Sequence, residues 1–172
     1  MSVPTPSAVI DREAVTFRIE RDFNHPRERV FRAWTSCEHV TQWWGPTDFT
    51  LPVCDMDFRP GGTWFYGMFH PDFGLNHGLM EFTAIEAPSL IEFVDHFVDA
   101  ERTINAAMPS SRGRIELHDL GDGRTRLVSI STYQTVEQLD QVIAMGMEQG
   151  FGMTLDRLDA HLAQIAESAS AH

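Results

Sequence analysis

Lysine is missing from this 172-residue chain: all 13 basic residues are arginine. That absence removes Schiff-base chemistry through a lysine amine and deprives any phosphate-binding loop of its gripping residue. Positive charge is scarce altogether. Asp and Glu number 25 and the formal net charge is −12, which repels a phosphate backbone and argues against a nucleic-acid partner. No basic amphipathic stretch points to a membrane surface. Cysteine is nearly absent as well. Cys37 and Cys54 are too few for a secreted-type disulfide framework and too far apart for a Cys-x-x-Cys site. They read as reduced, Cys54 as a small hydrophobe buried in a strand. No apolar run approaches the ~20 residues that span a bilayer, and Met1 to Asp11 lacks the charged-then-apolar pattern of a signal segment. Together these predict a soluble, cytoplasmic protein. Neither G-x-S-x-G nor G-x-G-x-x-G occurs, and nothing calls for a cofactor.

What is present suits one globular domain. Hydrophobic residues make up 42% of the chain, and a compact chain of this length buries roughly two-thirds of its unfolded surface. Residues 1–11 and 167–172 read as loose tails, which leaves a single domain over 12–166. Val15 to Phe23 alternates as a half-buried strand. Pro26 then suits the first position of a short helix, with Asn24 or His25 capping. Ser36 caps a second short helix, and Trp43-Trp44-Gly45-Pro46 closes the pair. A strand-rich stretch follows, punctuated by Pro60-Gly61-Gly62, by a loop over 71–76, by Ala87-Pro88-Ser89 and by the hairpin signal Gly121-Asp122-Gly123. Residues 99–111 are irregular. Thr135 and Gln138 form a capping-box pair. Met147, Phe151, Leu155, Leu158, Leu162 and Ile165 then trace one apolar stripe of a long amphipathic helix, with Gly146, Gly150 and Gly152 marking a kink or a close backbone approach. Strands in a run with helices segregated imply an α+β fold with an antiparallel sheet. A curved sheet facing one apolar helix leaves room for a cavity between them.

These residues resemble a known family. The opening from Arg18 to Thr35, the Gln42-Trp43-Trp44-Gly45-Pro46 block, Asp57-Phe58-Arg59-Pro60-Gly61-Gly62-Thr63-Trp64 and the C-terminal run from Gly150 to Leu162 are similar, in order, to the SRPBCC (START or Bet v 1-like) superfamily. Within it they are most similar to the group named after the activator of the heat-shock-protein-90 ATPase. The resemblance spans about Val15 to Ala163. It implies the helix-grip fold, a curved antiparallel sheet of six to seven strands wrapped around the long C-terminal helix with two short helices after the first strand. It does not imply one activity, because a fold does not fix function. Members bind lipids, sterols or aromatic polyketides, some catalyse cyclisation, and the namesake is a co-chaperone. The segment from Glu101 to Arg112 matches nothing in the family clearly.

The expected pocket follows from strand alternation and the helix stripe. Trp64, Tyr66 and Met68, then Met80 and Phe82, then Phe93 and Phe97 are the strand candidates. Met147, Phe151 and Leu155 come from the helix. Trp44 is a further candidate: of the adjacent Trp43 and Trp44 one buries and the other covers the mouth, or the two lock the helix pair. Each is also a plausible core residue, and a one-residue register error over 77–86 would swap the faces. Glu81, Asp95 and His96 are candidate polar groups, as an acid–base set for a cyclase or hydrolase or as ordinary strand residues. His70, Asp72 and His77 read as loop residues rather than a metal site. The expected function is therefore binding of a small hydrophobic or aromatic molecule. An enzyme in the same cavity and a co-chaperone-like module are the alternatives. A homodimer through an edge strand or through Phe65 and Phe69 is compatible with each.

Overall fold

In a computed structural model, residues 7–170 are described. Eight strands form one antiparallel sheet: β1 (Ser7–Asp11), β2 (Thr16–Phe23), β3 (Thr50–Met56), β4 (Thr63–His70), β5 (Gly74–Glu86), β6 (Leu90–Val98), β7 (Ser111–Gly121) and β8 (Arg124–Thr132). Their spatial order is β1-β2-β8-β7-β6-β5-β4-β3. Two short helices, α1 (Arg27–Arg32) and α2 (Cys37–Trp43), follow β2. The chain ends in α3 (Val136–Ala144) and α4 (Met147–Ser170). The α+β fold is the expected one, with eight strands instead of six to seven.

Several local expectations are corrected. Residues 7–11, read as part of a tail, pair with β2 from Ser7↔Glu20 to Asp11↔Thr16, because Ala8 and Ile10 continue the alternation of Ile19 and Phe17. Of the C-terminal tail, residues to 170 continue α4; residues 1–6 and 171–172 lie outside the described ones. Pro26 is the extended N-cap of α1 rather than its first helical residue. Neither Pro26 nor Ser36 makes a side-chain cap. Thr135 does cap α3, its Oγ1 accepting from the Gln138 N–H at 3.1 Å. The expected single C-terminal helix is two. Gly146 at φ +84° breaks it, in a left-handed conformation that glycine adopts without steric cost. The strand after the 70s loop begins at Gly74 rather than 77, and β7 at Ser111 rather than 114.

Cys37 and Cys54 are joined by a disulfide, with Cα atoms 5.9 Å apart. This corrects the reading of two reduced thiols. Packing α2 onto β3 brings together residues that a separation of 17 leaves undetermined in the sequence. Phe65 is also not available for pairing. It is 7% exposed, covered by the Arg102 guanidinium 4.5 Å from its ring centre and stacked on His77. Arg102 also pairs with Asp55 at 2.6 Å, so this part of the irregular segment folds back over the convex side of the sheet, whereas Met108, further along, meets Gln141 of α3. Phe69 remains exposed. No described helix is long and apolar enough to cross a membrane.

The core lies between the concave sheet face and the second half of α4. Leu155, Leu158 and Leu162 are fully buried against Phe17, Ile19 and Phe23 of β2 and their neighbours. Each such side chain contributes about 1.5–3 kcal/mol of burial. Arg21 falls on the same inward face and is almost fully buried. It reaches Asp156 at 2.5 Å and Asp159 at 3.7 Å on α4. These contacts fasten the C-terminal half of the helix to one end of the sheet.

Candidate functional site

The first turns of α4 are held differently. Where Leu155 onward packs tightly, Met147, Gly150 and Phe151 are only half-buried, and a cavity of about 400 Å³ lies between them and the sheet. That volume is within the range of small-molecule sites. A Cβ on Gly150 would stand 3.3 Å from the Pro46 ring, so the helix and the Trp44–Pro46 loop approach closely there. Arg157 ties the same loop down. Its Nη1 donates to the carbonyls of Gly45 at 2.8 Å, Pro46 at 3.1 Å and Trp44 at 3.3 Å. A guanidinium at the C-terminus of α2 also complements the carbonyls that end that helix.

The two adjacent tryptophans divide the roles that the sequence left open. Trp43 is fully buried and its indole N–H donates to the Ala33 carbonyl at 3.0 Å, locking α1 to α2. Trp44 is half-buried and lines the cavity, edge-on to Trp64 and Tyr66 with ring centres 4.7 and 5.9 Å away.

Of the expected pocket residues, the cavity brings together Trp44, Tyr66, Met68, Met80, Phe93, Phe97, Met147 and Phe151. Trp64, Phe82 and Leu155 are corrected to core positions: all three are buried and absent from the cavity wall. Trp64 lies behind Trp44, Phe82 is edge-on to Phe58, and Leu155 is past the point where α4 meets the sheet. The register question over 77–86 resolves with Met80 inward, opposite Trp64 and Asp95. Gly78 is inward too, opposite Tyr66. A Cβ there would overlap the Tyr66 ring, so glycine is what lets this ring lie flat on the sheet.

The polar candidates separate by face. Asp95 lines the cavity and accepts a hydrogen bond from the Tyr66 hydroxyl at 3.2 Å. The surface it keeps open belongs to the cavity wall, and burial pushes its carboxyl up to about 6. The same burial, with the Asp95 carboxylate alongside, raises the Tyr66 phenol well above its ordinary value. Tyr133 is pushed up to about 12 for the same two reasons.

Glu81 and His96 share the opposite face, since each is one residue out of phase with Met80 and Asp95. Glu81 is exposed, and its Oε2 lies 3.0 Å from His96 Nε2, whose Nδ1 meets Ser110 Oγ at 2.6 Å. Their expected place among the cavity's polar groups is corrected to this convex-side chain, although part of His96 still borders the cavity. His70 and His77 do not converge. The His70 Nδ1 accepts from the Asp72 N–H, while His77 stacks on Phe65.

The wall also contains residues that the sequence reading missed: Trp34, Pro46, Phe49, Ser111, Tyr133 and Thr154 among them. Tyr133 directly follows β8 and is in phase with Ser129 and Ser131, which also line the wall, so alternation along that strand could have found it. Trp34 and Phe49 come from a helix end and a loop, where no periodicity signals direction. The Trp34 indole N–H, buried in the wall, meets no acceptor among the described residues. Met145 and Asn76, both exposed, stand where the wall reaches the surface.

Residues 24–163 match the family model described as activator of Hsp90 ATPase homolog 1-like protein. A protein from Arthrobacter aurescens, solved by solution NMR, is similar to this chain at 32% identity and a TM-score of 0.85, covering 94% of this chain and 93% of its own. Crystalline protein Ms6760 from Mycobacterium smegmatis is 30% identical with a TM-score of 0.84, over 91% of this chain and 96% of that one. A Staphylococcus epidermidis protein gives 29% and 0.79, over 91% and 94%. No curated protein matches.

Proposed function

The chain belongs to the activator of Hsp90 ATPase homolog 1-like family, and on that premise we propose that it binds a small hydrophobic or aromatic molecule between α4 and the sheet. One observation carries this reading: the helix is pinned to the sheet at Leu155, Leu158 and Leu162, yet its first turns stand off from Tyr66, Met80 and Phe93 and leave about 400 Å³. Aromatic rings offer large contact area, and the thioethers of Met68, Met80 and Met147 adapt to varied shapes. A catalytic role of the cyclase or hydrolase kind needs at least two ionisable groups directed inward, and of Glu81, Asp95 and His96 only Asp95 is, the other two being hydrogen-bonded to each other on the convex side. Binding is therefore the favoured reading.

The test is a thermal-shift screen with naphthalene derivatives, a sterol and a long-chain alcohol, followed by native mass spectrometry of any hit. A ligand at a hundredfold excess over its dissociation constant stabilises by about 2.7 kcal/mol, or about 5–10 °C in a domain of this size. A one-to-one adduct with such a shift supports the reading. No shift with any of these probes overturns it.

A further inference from the structure

Among the described residues, Asp95 is the only carboxylate in the cavity wall, and no arginine shares that wall. Among the described residues it takes part in no ion pair. Its hydrogen bonds come from neutral groups, the Tyr66 phenol and the His96 backbone N–H. The neighbouring imidazole of His96 is engaged by Glu81 and Ser110 on the other face. The same wall carries Tyr66, Trp44 and Phe93, and the faces of aromatic rings attract cations. A buried carboxylate without a countercharge is costly, and an occupant that supplies the countercharge recovers that cost.

An anionic occupant does the reverse. A fatty-acid carboxylate or a phosphate headgroup would enter a chamber that holds a carboxylate and has no lysine or arginine to neutralise the intruder. The whole molecule reinforces this bias, because a net charge of −12 concentrates cations and repels anions around the entrance.

Building on the cavity-binding reading, we propose that the site selects basic ligands: a protonated amine attached to an aromatic or apolar body, with its ammonium seated on the Asp95 carboxylate. The ammonium donates to the carboxylate while the body fills the space between Met80, Phe93, Phe151 and Trp44. The serine and threonine hydroxyls of the wall, which include Ser111 and Thr154, accept hydrogen bonds from its remaining N–H groups.

The test compares three probes with one shared body by isothermal titration calorimetry at about pH 8: 1-naphthylmethylamine, 1-naphthalenemethanol and 1-naphthoic acid. The expected order is amine over alcohol by about tenfold or more, a step worth about 1.4 kcal/mol, with no measurable binding of the acid. In Asp95→Asn the advantage of the amine over the alcohol is lost, both being measured on the variant itself. A pH series on the unaltered protein gives an independent readout should that variant fail to fold. Between about pH 8 and pH 5 the amine remains protonated while Asp95 takes up its proton, so amine affinity falls about tenfold and alcohol affinity does not. The other titratable groups near Asp95 are Tyr66 on β4, His77 on β5, His96 beside it on β6 and Tyr133 after β8; α3 and α4 present Val142, Met147, Phe151 and Thr154 to the cavity, none of them titratable in this range. Equal or tighter binding of the acid, or an amine advantage that survives in Asp95→Asn or stays flat with pH, overturns the amine proposal while leaving the cavity reading intact. Failure of all three probes overturns both.

Discussion

Replacing Asp95 by Asn removes a charge that the fold holds at a disadvantage, and the gain in stability can be worked out. Burial lifts the carboxyl from its ordinary 3.8 to about 6. Each decade of proton affinity is 1.36 kcal/mol, so ionising Asp95 costs about 3 kcal/mol more in the folded protein than in the unfolded chain. Between those two values the folded state binds the extra proton. Stability therefore declines as pH rises through that window and is flat above it. An amide in the same place still accepts from the Tyr66 hydroxyl and has no charge to bury. Asp95→Asn is expected to match the parent near pH 4 and to exceed it by about 3 kcal/mol at about pH 8. His25 and His161 act in the opposite sense. Burial holds both below 6.5, so their contribution is lost as pH falls from that value. They are common to both proteins and cancel in the difference. The assay is urea denaturation followed by tryptophan fluorescence at several pH values, where 3 kcal/mol moves the midpoint by roughly 1–2 M. A difference curve that is flat between pH 4 and 6, or a variant no more stable at pH 8, refutes the account of Asp95 as a buried charge kept without an ion-pair partner.

Three further outcomes test how the cavity is built. Arg157→Met leaves the carbonyls of Trp44, Gly45 and Pro46 without their donor. One nitrogen has two hydrogens for these three acceptors, so about two charge-assisted bonds are lost; with partial rehydration that is about 2 kcal/mol, or 4–8 °C in melting temperature. Arg157→Lys, lacking the planar fork, should recover only part of it; full recovery would show that charge alone matters. The Cys37→Ser, Cys54→Ser double variant opens a loop closed over 17 residues, which chain entropy values at about 3 kcal/mol. Unchanged urea stability against the oxidised parent would count against that contribution. Gly78→Ala puts a methyl group into the Tyr66 ring and should cost about 1–3 kcal/mol. The same change displaces the hydroxyl from Asp95, which calorimetry with 1-naphthylmethylamine would register as altered affinity; an unaltered stability and affinity would mean the ring has room to move.

The parts of this molecule that were legible in the sequence are those where a period repeats. Alternation in Val15–Phe23 located β2, and the same period carries Arg21 to the inward face, where it pairs with α4. The stripe from Met147 to Ile165 gave the helix that the sheet grips. Single residues at boundaries were not legible. Ser7–Asp11 is too short and too close to prolines to stand out from a tail, and only its partner β2 makes it a strand. Gly146 was visible as a glycine, but whether it kinks a helix or ends one depends on what α3 and α4 pack against. The Cys37–Cys54 bond needs the distance between α2 and β3, which no local pattern encodes. Glu81 and His96 failed as cavity residues through parity alone: a shift of one residue separates them from Met80 and Asp95, and facing is set by pairing rather than by residue type.

The same parity shapes the chemistry available to the cavity. Along β6, Phe93, Asp95 and Phe97 point inward while His96 turns to Glu81 and Ser110 outside. Had β5 and β6 both been displaced by one position, Glu81 and His96 would have faced the chamber together and brought a hydrogen-bonded acid–base set into it. The observed register instead isolates one carboxylate among aromatic rings, with a phenol as its only side-chain donor. A lone, uncompensated acid in an apolar chamber is poorly arranged for passing protons between two groups and well arranged for holding a cation. The feature that makes Asp95 unfavourable for the empty fold is thus the feature that would reward an ammonium, and the stability gained in Asp95→Asn and the amine affinity lost by it should arise from the same electrostatic cost.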